Sequence, residues 1–370
     1  GVSRTGVIAA GVGSPGWPGW KGHWMTYRVS KDGGETWTEP MQGHVAVRAG
    51  EEAWATLRGG GAIQVGGLKR SLGEGWWETI LSRFSDDMMH YQRETIQVGV
   101  PQAGLSLSDS TYMVLPSHGT GTIIQLPNGD LLSPMQGKFK GDEGRRVFLT
   151  RSVDRGRTWR YHATMAYEPK DPNPELPGQY LGPSEPSIAL LANGQLLCMM
   201  RMQYSHLPNE YRPLYVCWSD DLGKTWSKPV PTTPHLMNIH PILLVMDNGV
   251  VACIYGRPGF HVAFSLDNGH TWQDRISFSH LPVEKSTGQH HGNKIGPNKL
   301  MAIGGVGPGG TQVFPVTVER VKVSPGHVPL TGQVLNEQGS PIADVKVERG
   351  PNRYTADDWL ADPTTLDPWG

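Results

Sequence analysis

Polar and titratable residues recur at one position of a repeated pattern in this chain. Several apolar runs are split by a turn: Gly121 to Leu132 around Asn128-Gly129, Pro186 to Leu197 around Asn193-Gly194, and Pro241 to Val251 around Asn248-Gly249. Counting nine residues back from the turn glycine reaches Glu185 from Gly194, His240 from Gly249, Thr120 from Gly129 (with His118 two earlier) and Glu52 from Gly61. Alignment of a last unit through Asn298 adds Gln289, beside His290 and His291. Two arginines close apolar strands: Arg201, seven residues after Gly194, and Arg257, eight after Gly249. Carboxylates and imidazoles in one place can move protons, and paired guanidiniums can grip a carboxylate. The competing reading ties each arginine to a protein carboxylate such as Glu185 and leaves each histidine as a satisfied loop residue.

Positioning these groups requires elements that bring the start of each apolar run to one place. Asn-Gly between two apolar runs is a strong hairpin signal. Four downstream segments read S-x-D-x-G-x-T-W, starting at Ser30, Ser152, Ser219 and Ser265. In such a segment Ser and Asp accept backbone hydrogen bonds, Gly takes a positive φ, and Thr-Trp opens the next strand with its indole in a core. Ser85-Asp86-Asp87 through Tyr91 reads as an eroded copy. Each unit is then strand, hairpin, strand, loop, strand, staple and strand, which is one propeller blade. Adding the opening unit, Gly6 to Met41, and the last, Lys294 to Val321, gives an all-β, six-bladed β-propeller of four-stranded antiparallel blades over residues 1–323. The inner strands run along a central channel, and its mouth is the expected site. Residues 324–370 read as a short β-hairpin followed by an acidic tail with two Trp, suited to packing on the propeller or joining subunits of a homo-oligomer.

Composition agrees. The 370 residues include 48 Gly and 30 Pro, and 33 basic residues offset 34 acidic ones, so nothing draws the chain to nucleic acid or an anionic membrane. No apolar run approaches the roughly 18 to 20 residues of a membrane span. Cys198, Cys217 and Cys253 sit in apolar strands as expected buried thiols, without metal-ligand spacing. No metal or cofactor is expected. The sequence opens at Gly1, without an initiator Met or a signal peptide, which reads as a processed or trimmed product.

Residues 118–276 resemble the sialidase superfamily, six-bladed propellers marked by repeated Asp boxes. Gly182-Pro-Ser-Glu185-Pro-Ser-Ile and the strand-end Arg201 resemble the family's N-E-P-S segment and one of the three arginines that hold the substrate carboxylate. By that resemblance Glu185 activates the nucleophile and Arg257 is another member of the arginine triad. Glu51 or Glu52 stands where the family has its acid, Asp. The family's Tyr nucleophile has no counterpart at its usual place, where Gln289, His290 and His291 stand instead. Tyr112, Tyr180 and Tyr255 are other phenols, none singled out by spacing. The resemblance implies a secreted protein, extracellular or periplasmic.

Three functions follow from these residues. The first is exo-hydrolysis of a terminal acidic sugar from a glycan, with Arg201 and Arg257 on its carboxylate, Glu51 or Glu52 as acid, Glu185 as base or orienter, and His118, His240, His290 or His291 assisting an attacking water. The second is uronate elimination by a polysaccharide lyase, in which a histidine takes the proton next to the carboxylate. The third is a non-catalytic glycan-binding or assembly propeller, with the loop Trp17, Trp20 and Trp24 as a stacking platform.

Overall fold

The computed structural model describes residues 1–13, 25–39, 41–43, 53–66, 68, 70–100, 117–118, 122–174, 179–204, 212–237, 240–256, 259–279, 290–305 and 311–320. The described residues form strands and turns, without a helix. None of them forms a helix long and apolar enough to cross a membrane.

Six antiparallel units follow one another along the chain. The first is β1 (Ile8–Gly13), β2 (Met25–Ser30) and β3 (Met41–Gly43). In the second, β4 (Ala53–Thr56), β5 (Ala62–Val65), β7 (Trp76–Phe84) and β8 (Tyr91–Gly99) pair in that order, with β6 (Arg70–Gly73) on β7. The third pairs β10 (Ile124–Gln125), β11 (Leu131–Gly137), β12 (Arg146–Ser152) and β13 (Thr158–Tyr167), with β9 (Ser117–His118) also on β11. The fourth is β14 (Tyr180–Leu190), β15 (Leu196–Tyr204), β16 (Leu214–Ser219) and β17 (Val230–Pro231). The fifth is β18 (Ile242–Val245), β19 (Val251–Gly256), β20 (Phe260–Ser265) and β21 (Gln273–Ser279). The last is β22 (His290–Gly296), β23 (Lys299–Gly305) and β24 (Thr311–Thr317).

This is the expected six-bladed, all-β propeller, with two departures in detail. The first and last blades show three strands among the described residues. The second and third blades share one sheet, because β13 pairs in parallel with β8 through Thr158↔Gln97, Trp159↔Val98 and Arg160↔Gly99.

Apolar seams join each blade to the next. Ala9 and Val29 pack with Ala62 and Met88 between the first two blades; Ile63, Trp77 and Val98 pack with Leu131, Phe148 and Trp159 between the next two. Leu132, Val147 and Leu149 meet Ile188, Leu196 and Cys198 at the third seam. At the fourth, the Cys253 thiol lies 3.3 Å from Met199 Sδ, and Leu243 N–H donates to Ser187 Oγ at 3.0 Å. The fifth has Asp247 N–H on the Pro297 carbonyl at 2.7 Å. Val2, Ile8 and Trp37 cluster with Met301 and Ile303, which joins the last blade to the first. Cys198, Cys217 and Cys253 are free and buried.

The staple turns work as their residue types require. Ser152 Oγ accepts the Gly156 N–H at 2.8 Å and donates to Asp154 Oδ1 at 2.7 Å, and that oxygen accepts the Thr158 N–H at 2.9 Å. Gly156 takes a φ of 87°. The Trp159 indole donates to the Gly156 carbonyl at 2.9 Å and is fully buried at the second seam. Truncating so large a core side chain costs its transfer energy and leaves a cavity. Trp159→Ala is therefore expected to lower stability by about 3–5 kcal/mol, read from the denaturant midpoint at unchanged slope.

The chain divides into two compact units, Gly1–Thr317 and Val318–Gly370. Only residues 318–320 of the second are described, so the expected hairpin and acidic tail lie outside the described residues.

Candidate active site

Glu185 sits in a β-bulge of the inner strand β14. Ser184 pairs with Arg201 and Ser187 with Met199, so Glu185 and Pro186 together oppose one residue of β15. Glu185 takes a φ of 47°. A following proline disfavours the right-handed helical region, and left-handed backbone in a non-glycine residue costs roughly 1–3 kcal/mol. His240, at the same count from its hairpin glycine and also followed by a proline, takes a φ of 39°. Two adjacent blades thus hold the same unusual conformation at the same register position.

Three elements hold Glu185. Gln136 of β11 accepts its backbone N–H through Oε1 at 2.6 Å. Arg201 Nη1 of β15 donates to Glu185 Oε2 at 3.2 Å, and the His240 N–H reaches the same oxygen at 3.3 Å. The Arg201 side chain is 9% exposed and its Nε is buried without a hydrogen-bond partner, while Glu185 keeps 24% exposure. Arg145, immediately before β12, is buried beside them and donates to Gln203 Oε1. Its approach depends on Gly182, whose φ is 104° and where a side chain would meet the Arg145 backbone N at 2.5 Å.

Across the mouth, the His240 and His291 rings meet edge to face with centroids 5.6 Å apart. His240 is buried with Nε2 unpartnered, whereas His291 is exposed to solvent. The neighbouring His290 turns the other way, buried flat on Phe260 at 4.3 Å between centroids. The period of two along β22 separates them: one fills the seam, the other faces the mouth.

Charge states follow from this packing. Burial pushes the Glu185 carboxyl up, but Arg201, then His240 and the hydrogen bonds from both, outweigh it, so its pKa lies below the ordinary value. Burial lowers His240 to about 4, with Glu185 opposing and Arg201 adding to the shift. Burial brings Arg145 down to about 10, still charged at neutral pH. The mouth therefore carries an ionised carboxylate, guanidiniums and a neutral His240 imidazole.

A pH prediction follows for stability. Above the ordinary histidine value of 6.5 the His240 imidazole is neutral whether folded or unfolded, and contributes no slope. As pH falls from 6.5 towards about 4, the unfolded chain takes up a proton that the folded chain refuses, and stability drops. His240→Gln should flatten that limb, by up to about 1.4 kcal/mol per pH unit. Thermal or denaturant unfolding across pH 4 to 7 measures it.

Glu185, Arg201, His240 and His291 are thus brought together. The backbone of His118 pairs with Met135 in β9, and its side chain is outside the described residues. Glu51, Glu52, Arg257, Gln289 and Trp24 also lie outside them. Arg145, Gln136 and Gln203 were not expected from the sequence. One signal for Arg145 was present: Arg145-Arg146 opens an apolar strand, and neighbouring residues must point to opposite faces. Arg146 pairs with Asp142, which leaves Arg145 for the other side.

The profile of the BNR repeat-like domain matches residues 69–305, more than half of the chain. The chain belongs to the BNR repeat-like domain family. No curated protein sequence matches it. Among solved structures, this BNR propeller is similar to the Hadza microbial sialidase Hz136, with 16% identity and a TM-score of 0.61 over 86% of this chain and 64% of that one. It is similar to Trypanosoma rangeli sialidase, with 16% identity and a TM-score of 0.55 over 85% of this chain and 53% of that one. An α-L-arabinanase from Penicillium chrysogenum gives 15% identity and a TM-score of 0.55 over 80% and 85%. The BNR propeller thus shares its fold with glycoside hydrolases, and spans less than two thirds of the length of either sialidase.

Proposed function

We propose that this BNR propeller is a glycoside hydrolase that removes a terminal acidic sugar from a glycan, with the sugar carboxylate held at Arg201. The observation that carries the reading is the state of that side chain. One nitrogen of Arg201 holds Glu185 while Nε is buried without a partner, in a mouth that also holds Arg145. Burying a donor without an acceptor costs roughly 1–3 kcal/mol, which a bound carboxylate would recover through a charge-assisted bond. Glu185, kept ionised, acts as an orienting group for Arg201 and His240. Glu51 or Glu52 is the proposed acid, and Arg257 the proposed second grip on the carboxylate.

Release of a fluorogenic aglycone tests this. Turnover is expected with a sialoside or a uronide and not with the matched neutral glycosides. Equal rates on acidic and neutral sugars would remove the carboxylate from the account.

A further inference from the structure

The bulge of β14 leaves one backbone donor over. Pro186 has no N–H, so that donor is the N–H of Glu185. Backbone donors inside a fold need an acceptor, and this one finds it in the blade before, where Gln136 Oε1 of β11 lies 2.6 Å away. The arrangement recurs one blade on: the Glu185 carboxylate accepts the His240 N–H at 3.3 Å, again ahead of a proline. Gln136, Glu185 and His240 thus form one chain of bonds across the third, fourth and fifth blades. Further along β14 and β18 a second rung crosses the same blades, where Ser187 Oγ lies 3.4 Å from Thr122 Oγ1 and accepts the Leu243 N–H at 3.0 Å.

Resting on the glycosidase reading above, we infer that Gln136 is a positioning residue of this site, which aims the Glu185 carboxylate at Arg201 and so sets the guanidinium that receives the sugar's acid group. The physical link is the backbone. Glu185 holds a φ of 47°, whereas a residue before proline prefers extended conformations, and such strain persists only where the surroundings enforce it. The bond from its N–H to Gln136 is one of those constraints. Without that acceptor the Glu185 backbone relaxes towards the extended region and its Cβ turns. The carboxylate then swings away from Arg201 Nη1, now 3.2 Å distant, and from the His240 N–H. Arg201, buried and with its Nε unpartnered, loses the anchor that fixes its plane. Gln136 does all this from another blade, and the role requires no contact with the sugar.

The test uses the full chain and has two arms. In the first, Gln136→Leu keeps the side-chain bulk and removes the acceptor. On whichever acidic fluorogenic glycoside the wild type hydrolyses, it should raise KM roughly tenfold with kcat within about threefold. In an Arg201→Ala background the same change should cost nothing further, since its effect runs through Arg201. Ser187→Ala, which cuts the second rung, should lower the denaturant midpoint and leave KM unchanged. The second arm needs no substrate: a carbon-13 NMR titration of the Glu185 carboxyl, assigned by its loss in Glu185→Gln. The wild-type group should titrate below the ordinary 4.5, and in Gln136→Leu it should move up towards that value as the carboxylate leaves the guanidinium. Gln136→Asn, which keeps the amide but withdraws it by one methylene, should show the same changes in smaller measure, and serves if the leucine variant does not fold. A KM within about twofold of wild type, losses that add in the double variant, or an unmoved Glu185 titration overturns the inference while leaving Arg201 in its role. Absence of wild-type turnover on every acidic glycoside overturns the glycosidase reading, and the titration then decides the role of Gln136 by itself.

Discussion

Replacing Arg201 with alanine is expected to reduce kcat/KM on an acidic glycoside by roughly 100-fold or more and to lower stability at the same time. The two losses have different origins. Removing one partner of a buried ion pair costs about 3–5 kcal/mol when the survivor is fully enclosed, and less here because Glu185 keeps contact with solvent. Under the proposed function, catalysis is lost because the substrate carboxylate has lost its donor. The double variant Arg201→Ala with Glu185→Gln separates them: stability should largely return, because no uncompensated charge is left, while activity should not. Arg201→Lys should keep the charge and still lose most of the activity, since an ammonium cannot serve Glu185 and a ligand in one plane. Steady-state kinetics and denaturant midpoints on the four proteins are the measurements. Recovery of activity in the double variant would make Arg201 a purely structural partner of Glu185.

Gly182→Ala is the second large effect. A Cβ there would lie 2.5 Å from the Arg145 backbone N and 2.6 Å from its carbonyl O, at a φ of 104°. Neither obstacle is a flexible side chain, so the backbone must separate, and the Arg145 N–H would lose its 2.8 Å bond to the Leu181 carbonyl. Overpacking and left-handed strain together should cost about 2–4 kcal/mol. Activity should fall further than stability predicts, because the same shift moves Arg145 and the bulge that carries Glu185. Gly194→Ala is the control: its φ is 89° but a Cβ there meets nothing within 4 Å. It should cost only the conformational term, about 1 kcal/mol, and leave kcat/KM intact. Equal effects at the two glycines would contradict the steric argument.

Much of this site was legible before any coordinates, for a physical reason. A hairpin fixes the register of its two strands, so a count back from the turn glycine reaches the same position in the fourth and fifth blades, where both residues are described. That count found Glu185 and His240, and both adopt the same left-handed backbone before a proline. It also brought out Arg201, at the far end of the strand paired with β14. It could not choose between His290 and His291, because a period of two says that they face opposite ways without saying which way is the channel. Arg145 escaped because it opens a second strand after a loop, where no hairpin sets the count. The parallel pairing of β13 with β8 left no local pattern either, since it depends on how two blade edges meet in space.

The account stands most directly on where an acidic sugar binds. A crystal structure of the protein soaked with sialic acid or a glucuronide should place the sugar carboxylate within hydrogen-bond distance of Arg201. A sugar bound on another face of the propeller, or one whose carboxylate points away from Arg201, would contradict it.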